Sequence, residues 1–316
     1  MDRRQILELI DARTQRGLEI GALDRPVVRK SVGPIAYVDR ASRAELLSWY
    51  ADPGHAIDRD ALVEVDHVWG EETLLQAVGG ERAFDYVIAS HVIEHVPDVY
   101  GWLAEIAAVL RDDGQALFMI PDKRYTFDRA RPVTVSGEFV DAHLRGLRRP
   151  DTRQIFNHFY DTLPENGPAR DEAGLTALAQ GSLALCRRAI TNQEYIDAHC
   201  WVFTPRSFVA ALDLASRLDL LPFEISHLIP TPQGDGEFLA ALRRLPDGLD
   251  AAGRRARFVA SVAALDLPPE VTLEAGDDLM SRAEAAIARA AAIEDSTIWR
   301  ATAPLRKLMD GLRRRR

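Results

Sequence analysis

The sequence has few of the features that mark secreted or membrane-spanning proteins. It contains only two cysteines in 316 residues, so it does not predict the disulfide framework of a small secreted domain. No uninterrupted apolar run approaches the roughly 20 residues that a bilayer span requires. The N-terminus also lacks the apolar core of a signal peptide. We therefore expect a cytoplasmic protein without a transmembrane segment.

Lysine is scarce as well, and acidic residues outnumber basic ones by 48 to 39. The formal net charge is -9, and the only lysines are Lys30, Lys123 and Lys307. A protein that binds nucleic acid needs a basic surface against the phosphates, so we expect no nucleic-acid partner. The basic C-terminal run, Arg313–Arg316, predicts at most a weak contact with an anionic membrane or a partner protein.

A complete dinucleotide-binding fingerprint is also missing. The turn after the first predicted strand contains Gly21 but no G-x-G-x-x-G motif, and Asp24 in this turn would repel a pyrophosphate. Asp39 ends the next predicted strand, where an acid binds ribose hydroxyls in nucleotide-binding sheets. The pattern therefore predicts a pocket for a nucleoside that carries no phosphates.

Apolar segments alternate with amphipathic ones through the first 122 residues. This alternation predicts a Rossmann-like, doubly wound α/β sheet that is mostly parallel, with ligands at the carboxyl ends of its strands. The strands are predicted at 18–20, 35–38, 61–66, 84–89 and 115–120, and the intervening helices at 3–14, 41–50, 71–78 and 98–110.

The rest of the chain departs from this rhythm. A polar region without strand patterns follows the fifth strand and predicts a helical and irregular insertion, of the length that often forms a lid. A helix and a hairpin then return to the sheet and give it an antiparallel edge. The predicted parts are a core of 1–122 and 200–243, an insertion of 123–199 at the acceptor site, and a helical C-terminal extension of 244–316.

Two motifs point to one family. FDYVIASHVIEHVPD at 84–98 resembles the fourth-strand motif of the class I S-adenosylmethionine-dependent methyltransferases, and GLEIGALDRP at 17–26 resembles a variant of their first motif. The chain is similar to the methyltransferase type 11 group. IPDKRYTFD at 120–128 and DSTIWRATAPLR at 295–306 also resemble a bacterial subgroup associated with glycan and polysaccharide biosynthesis.

The resemblance covers about residues 15–125 and 200–243, and it implies an enzyme of class EC 2.1.1 with S-adenosylmethionine as its cofactor. The methyl acceptor is then a small molecule or a glycan-linked molecule, and we predict methylation on oxygen. The cofactor-binding residues that it implies are Glu19 and Gly21 at the methionine end, Asp39 with its neighbour Arg40 at the ribose, Asp66 at the adenine amine, and Ser90 and His91 near the sulfonium.

Histidines are the candidate bases, because an oxygen nucleophile must lose a proton and a positioned histidine can accept it. The predicted catalytic residues are His91 at the end of the fourth strand and His158 and His199 in the insertion. His91 and His95 also have the i, i+4 spacing of metal-binding helices. That spacing is common where this fold's fourth strand meets the next helix, so we predict no metal site.

Two other functions stay open from the sequence. An NAD-dependent nucleotide-sugar oxidoreductase would use a related sheet, although the chain has no tyrosine followed four residues later by lysine. A non-catalytic methyltransferase-like module in glycan assembly is compatible with the single glycine of the first turn. The sequence specifies neither the methyl acceptor nor the oligomeric state.

Overall fold

The computed structural model describes residues 3–50, 57–70, 72–80, 82–162 and 171–266. Seven strands in these residues form one sheet. In chain order the strands are β1 (Gly17–Ile20), β2 (Ile35–Asp39), β3 (His67–Val68), β4 (Phe84–Ser90), β5 (Leu110–Pro121), β6 (Phe223–Ile229) and β7 (Glu237–Arg244).

The spatial order of the strands is β3-β2-β1-β4-β5-β7-β6. The first five strands in this order pair in parallel. β7 runs antiparallel to both of its neighbours, β5 and β6. The predicted fold class, a mostly parallel α/β sheet with an antiparallel hairpin at its edge, is therefore confirmed.

Several helices pack on one face of the sheet, and the other face is covered by the short first helix and by loop segments. Most of the helices begin at a side chain that accepts a backbone N–H. Ser42 and Asp98 perform this capping for the second and fourth helices, which satisfies amides that have no partner inside the helix. The helices are α1 (Arg4–Leu7), α2 (Arg43–Trp49), α3 (Leu74–Ala77), α4 (Val99–Val109), α5 (Ser136–Leu144), α6 (Thr152–Asp161), α7 (Glu172–Thr191), α8 (Pro205–Arg217) and α9 (Ala251–Ala263).

The central strands are apolar on both sides, as covered parallel strands require. Val87 and Ile88 of β4 are both fully buried, but they belong to hydrophobic clusters on opposite faces of the sheet. Trp201 and Phe238 complete the larger cluster. The core therefore lies around β4 and β5, and it fixes the edge of the sheet at which those strands end.

The third strand is not where the alternating pattern predicts it. Residues 61–65 run beside the sheet. The Asp66 backbone N–H donates to the Tyr37 carbonyl at 2.9 Å, and only His67 and Val68 pair with β2 as a strand. The Asp66 carboxylate accepts the Tyr37 backbone N–H at 2.8 Å, so that amide of β2 is not available to a neighbouring strand. The alternation of apolar and polar residues at 61–66 therefore reflects partial burial. The Asp66 side chain takes the place of one backbone hydrogen bond between the strands.

Two other boundaries also differ from the predictions. The first helix, predicted at 3–14, ends at Leu7, and the chain then turns at Asp11, whose carboxylate accepts the Arg13 N–H at 3.1 Å. β5 begins at Leu110 rather than at 115. The intervening turn is absorbed as an irregularity of the strand, with Asp113 at a φ of 60°.

The described part of the insertion is helical, with α5, α6 and α7 between β5 and α8. After Arg244 the chain forms α9, which packs on β6, where the Ser261 hydroxyl accepts the Ile225 N–H at 3.1 Å. The segment 295–306 and the basic run at 313–316 lie outside the described residues. Within the described part of the chain, no helix combines the length and the apolarity needed to cross a membrane.

Candidate active site

A cavity of about 780 Å³ lies at the carboxyl ends of β1, β2 and β4. Gly21 follows β1, Asp39 ends β2 and His91 follows β4, and all three residues line this cavity. Its volume is in the range of small-molecule and cofactor sites. The apolar and aromatic part of the wall includes Leu46, Trp49, Tyr50, Trp69, Val92 and Trp102.

Gly21 is required by the shape of the first turn. Its φ is +67°, a conformation that side chains disfavour. A Cβ atom at this position would lie 2.9 Å from Cγ2 of Val92. The backbone of the turn therefore passes directly against the segment that follows β4, and a glycine is needed at the floor of the cavity.

Asp39 and Arg40 form a second part of the cavity wall. Burial raises the pKa of Asp39 to about 6, and its carboxylate accepts the Arg40 backbone N–H at 2.7 Å. The Arg40 guanidinium lies 3.6 Å from the ring centroid of Tyr195 and 4.5 Å from that of Trp49. These cation–π contacts fix the arginine side chain between the strand end and the end of the insertion.

Glu19 lies in the protein interior and not at the cavity surface, where a ligand-binding residue was expected. It is 2% exposed and does not line the cavity. Its two carboxylate oxygens accept the backbone N–H groups of Val27 and Val28 at 2.7 and 3.2 Å. Burial raises the pKa of Glu19 to about 7. In this geometry the residue holds the loop after Gly21 in place.

Asp66 and Ser90 also lie outside the lining of the cavity. Asp66 pairs with Lys30, with Oδ1 and Nζ 2.5 Å apart, in addition to its bond from Tyr37. The Ser90 hydroxyl faces the sulfur of Met119 at 3.6 Å. Of the seven residues predicted to bind the cofactor, the structure brings together Gly21, Asp39, Arg40 and His91.

His91 lines the cavity in a strained backbone conformation, with a φ of 54°. Its Nε2 contacts the carboxylate of Glu237, and its Nδ1 lies 3.5 Å from Oε1 of Glu94. Burial acts to lower the pKa of His91, but these two carboxylates outweigh it and raise the pKa to about 10. At neutral pH the ring is therefore protonated, and it donates hydrogen bonds rather than accepting a proton.

The two other predicted catalytic histidines lie together, outside the cavity lining. The rings of His158 and His199 are 5.2 Å apart, and Nδ1 of His158 accepts the His199 backbone N–H at 3.2 Å. Burial and the neighbouring His199 lower the pKa of His158 to about 4, so this ring is neutral at pH 7. His199 Nδ1 bonds to Oδ2 of Asp128 at 2.6 Å.

His95 joins this pair to the cavity. It lines the cavity, its ring lies 4.7 Å from that of His199, and its Nδ1 bonds to Oδ1 of Asp197 at 3.1 Å. Asp197 lines the cavity as well. Neither residue was predicted to be functional. No local pattern relates them, because they are brought together only when the end of the insertion returns to β4.

That return is fixed by the main chain. The carbonyl of Glu94 accepts the N–H groups of Cys200 and Trp201 at 2.6 and 3.3 Å. Trp201 is itself 1% exposed and stacks on Phe139 with ring centroids 4.6 Å apart. A large buried aromatic cluster thus fixes the segment that carries Asp197 and His199 against the end of β4.

Comparison with known proteins adds a family. Residues 3–215 match the family model described as a methyltransferase domain. No curated protein matches the chain.

Solved structures with similarity to the chain include S-adenosylmethionine-dependent methyltransferases from Methanosarcina mazei and Mesorhizobium loti. The first is 17% identical, covers 77% of this chain and 98% of its own, and has a TM-score of 0.38. The second is 13% identical, covers 77% and 95%, and also has a TM-score of 0.38. The N-methyltransferase NodS from Bradyrhizobium japonicum is 14% identical, covers 77% and 94%, and has a TM-score of 0.36. At these scores the family assignment rests on the domain match.

Proposed function

Since the chain belongs to the methyltransferase domain family, we propose that it transfers a methyl group to an oxygen atom of a small-molecule or glycan-linked acceptor. S-adenosylmethionine is the expected cofactor. The observation that carries the proposal is the cavity at the carboxyl ends of β1, β2 and β4, where Gly21 and Asp39 meet.

The residues of this cavity fit a nucleoside without phosphates. The half-buried Asp39 carboxylate can accept hydrogen bonds from two ribose hydroxyls, and Arg40 and Tyr50 also line the cavity. The turn that contains Gly21 also contains Asp24, whose negative charge opposes the binding of a pyrophosphate. The incomplete glycine motif is therefore consistent with a ligand that has no pyrophosphate, and it does not require that the chain has lost nucleoside binding.

The sheet favours methyl transfer over the NAD-dependent alternative. The usual dinucleotide-binding sheet has the order 3-2-1-4-5-6 with parallel strands. Here β7 enters antiparallel between β5 and β6. This hairpin supplies Glu237, which contacts His91. The strand that differs from the dinucleotide-binding sheet therefore contacts a residue of the cavity wall.

In the proposed reaction the cofactor supplies an electrophilic methyl group on a sulfonium, and the protein mainly aligns the acceptor and excludes water. His91 is the one predicted catalytic histidine that lines the cavity. Because it is protonated at neutral pH, we propose that it orients the acceptor by donating a hydrogen bond. His158 and His199 act through His95 and are positioning residues in this proposal.

Glu19, Asp66 and Ser90 take supporting roles in this proposal. Glu19 fixes the loop after Gly21 through two backbone bonds, and Asp66 fixes the end of β2. These contacts define the positions of the strand ends that carry Gly21 and Asp39. We therefore infer an indirect effect of all three residues on cofactor affinity.

The glycan-linked acceptor is proposed from the resemblance at 120–128 and 295–306. In the structure, Asp122 of the first segment is fully buried. It pairs with Arg124 and accepts the Thr231 hydroxyl at 2.7 Å. This part of the motif connects β5 to the loop of the β6–β7 hairpin, so it supports the site without facing an acceptor.

Binding and turnover are tested in sequence. S-adenosylhomocysteine, the product form of the cofactor, and NADH are titrated into the purified full chain by calorimetry. We expect binding of the first ligand and none of the second. Radiolabelled S-adenosylmethionine is then offered with a panel of sugars, lipid-linked glycans, phenols and amines, and the methylated atom is assigned by mass spectrometry.

Each outcome separates one hypothesis from another. A failure to bind S-adenosylhomocysteine would refute the proposed function. Binding without transfer to any acceptor in the panel would favour the non-catalytic module. Methyl transfer to an amine would retain the family and refute the proposed oxygen acceptor.

A further inference from the structure

Glu94 presents a buried carboxylate with no hydrogen bond. The residue lies in the short 3-10 helix Ile93–His95 after β4 and is 2% exposed. Neither Oε1 nor Oε2 accepts a hydrogen bond from any described residue. An ionised carboxylate that is buried in this way is costly unless a positive charge or a metal compensates it.

Two histidines face this carboxylate with their other nitrogens occupied. Nε2 of His95 lies 3.9 Å from Oε1 of Glu94, while its Nδ1 bonds to Asp197. The Nδ1 of His199 bonds to Asp128. Metal-binding histidines almost always have one ring nitrogen paired in this way with a carboxylate or carbonyl, which fixes the tautomer and leaves the other nitrogen for the ion.

The three side chains converge on a common point. One ligand atom each from Glu94, His95 and His199 can be chosen so that all three lie within 4.8 Å of one another. Ligand atoms about 2.0–2.2 Å from the same ion are separated by about 3–4.4 Å. Small rotations of these side chains are therefore enough to bring them into one coordination sphere.

We propose that Glu94, His95 and His199 bind a divalent transition-metal ion. Two imidazoles and one carboxylate are a ligand set of catalytic zinc sites, and imidazole ligands favour Zn²⁺ and its neighbours over Mg²⁺ or Ca²⁺. Zinc sites with three protein ligands keep a further position for water or a substrate. The sequence spacing of His91 and His95 did not predict this site, because His199 is remote in the chain.

A second group of possible ligands, Asp128, His158 and His199, is less suited to an ion. The Asp128 carboxylate already pairs with Arg131 at 2.7 Å, in addition to His199. Its charge is therefore compensated within the protein. In the part of the chain that the structure describes, Glu94 has one basic side chain within ion-pair distance outside the proposed ligand set. This is His91, at 3.5 Å, which also pairs with Glu237.

The position of the site suggests its use. His95 lines the cavity, so an ion bound there would lie beside the space proposed for the methyl acceptor. An acceptor hydroxyl coordinated by such an ion would have a lower pKa and would release its proton to solvent water before the oxygen attacks the methyl group. This consequence rests on the proposed function, whereas metal binding itself does not.

Metal binding is tested on the full chain after removal of any affinity tag and treatment with a chelator. Zn²⁺ and Mg²⁺ are titrated separately by calorimetry, and the metal content of the untreated protein is measured by mass spectrometry. We expect one Zn²⁺ per chain and no measurable binding of Mg²⁺. No cofactor is present in this titration, so its failure is distinguishable from a failure of methyl transfer.

Four variants locate the ion. Glu94→Gln keeps the size of the side chain and removes its charge, and we expect Zn²⁺ affinity to fall by more than about 100-fold. Asp197→Asn removes an outer partner of His95, for which we expect about a 10–100-fold loss. His227→Ala changes an exposed histidine on β6 and should leave the affinity unchanged. His158→Gln removes a ligand of the second group, and we expect it to lower the affinity less than Glu94→Gln does.

Circular dichroism and thermal unfolding check that each variant is folded. If Glu94→Gln does not fold, Asp197→Asn still tests the site, because the Asp197 side chain is 62% exposed. No Zn²⁺ binding by the wild-type chain would overturn the proposal and leave Glu94 paired with protonated His91. Loss of binding in His158→Gln with retention in Glu94→Gln would also overturn it, by assigning the ion to the Asp128 group.

Discussion

The sharpest test of the cofactor cavity is the substitution Asp39→Asn. The substitution preserves the shape of the side chain and removes its negative charge. The proposed ribose contacts are one or two hydrogen bonds to a charged acceptor, each worth about 1.5–3 kcal/mol. Because about 1.4 kcal/mol corresponds to a tenfold change in affinity, and Asn retains one acceptor oxygen, we expect S-adenosylhomocysteine to bind about 10–100-fold more weakly at pH 8.

The raised pKa of Asp39 adds a pH dependence with a definite sign. Burial raises this pKa to about 6, so the carboxylate is ionised at pH 8 and mostly protonated at pH 5. If the ligand binds the ionised form, the affinity of the wild-type chain decreases as the pH falls through 6, by about tenfold at pH 5. The Asp39→Asn variant has no such titration and should bind equally at both pH values apart from changes elsewhere in the protein.

Calorimetric titration of both proteins with S-adenosylhomocysteine at pH 5, 6, 7 and 8 measures both effects. Asp141→Asn is a suitable control, because this carboxylate is exposed on α5 and does not line the cavity. Equal affinities of wild type and Asp39→Asn at pH 8 would refute the role of the carboxylate. A wild-type affinity that does not change between pH 8 and 5 would refute the argument from its pKa.

Two further predictions concern the first turn. Gly21→Ala should lower the free energy of unfolding by about 1–3 kcal/mol, because it combines a strained φ with a close contact to Val92. The control Gly137→Ala, at an unobstructed helical position, should be neutral or stabilising by up to about 1 kcal/mol. Urea unfolding measures the free energy of unfolding of both variants. Glu19 has a pKa raised from 4.5 to about 7, so its contribution to stability is greatest below pH 4.5 and is lost as the pH rises through 7, by at most about 3 kcal/mol. Urea unfolding at pH 5 and pH 8 should show a smaller decrease in Glu19→Gln than in wild type, and equal decreases would contradict the burial argument.

Much of the fold is predictable from local patterns. The apolar run of β4 and the capping residues Ser42 and Asp98 identify their elements directly, since burial and capping act over a few residues. The predicted position of the third strand is wrong for a physical reason. Residues 61–66 alternate like a strand, but the Asp66 side chain takes the Tyr37 amide, and alternation cannot distinguish a paired strand from a partly buried extended segment.

The candidate site divides in the same way. Gly21, Asp39 and His91 are predictable because a parallel sheet brings its strand ends to one edge whatever the connections are. Glu19 and Asp66 were assigned to the ligand because they are acids near those ends. Their side chains instead satisfy backbone N–H groups, at Val27 and Tyr37, and the sequence does not distinguish an acid that binds a ligand from one that fixes a loop.

The sequence predicted only part of the junction where the end of the insertion meets the sheet edge. His199 was predicted as a catalytic residue, whereas His95 and Asp197, which line the cavity, were not predicted. Asp197 and His199 reach the cavity region only because the Glu94 carbonyl binds the amides of Cys200 and Trp201. Glu94 therefore joins the sheet edge to the end of the insertion through its main chain. Its side chain faces His95 at the sheet edge and His199 in the insertion. In the proposed function the strand ends bind the nucleoside, and this junction offers His95 and Asp197 of the cavity wall to the acceptor. The proposed metal ion would be bound at the same junction, between the cofactor cavity and the segment that distinguishes this chain from a bare nucleotide-binding sheet.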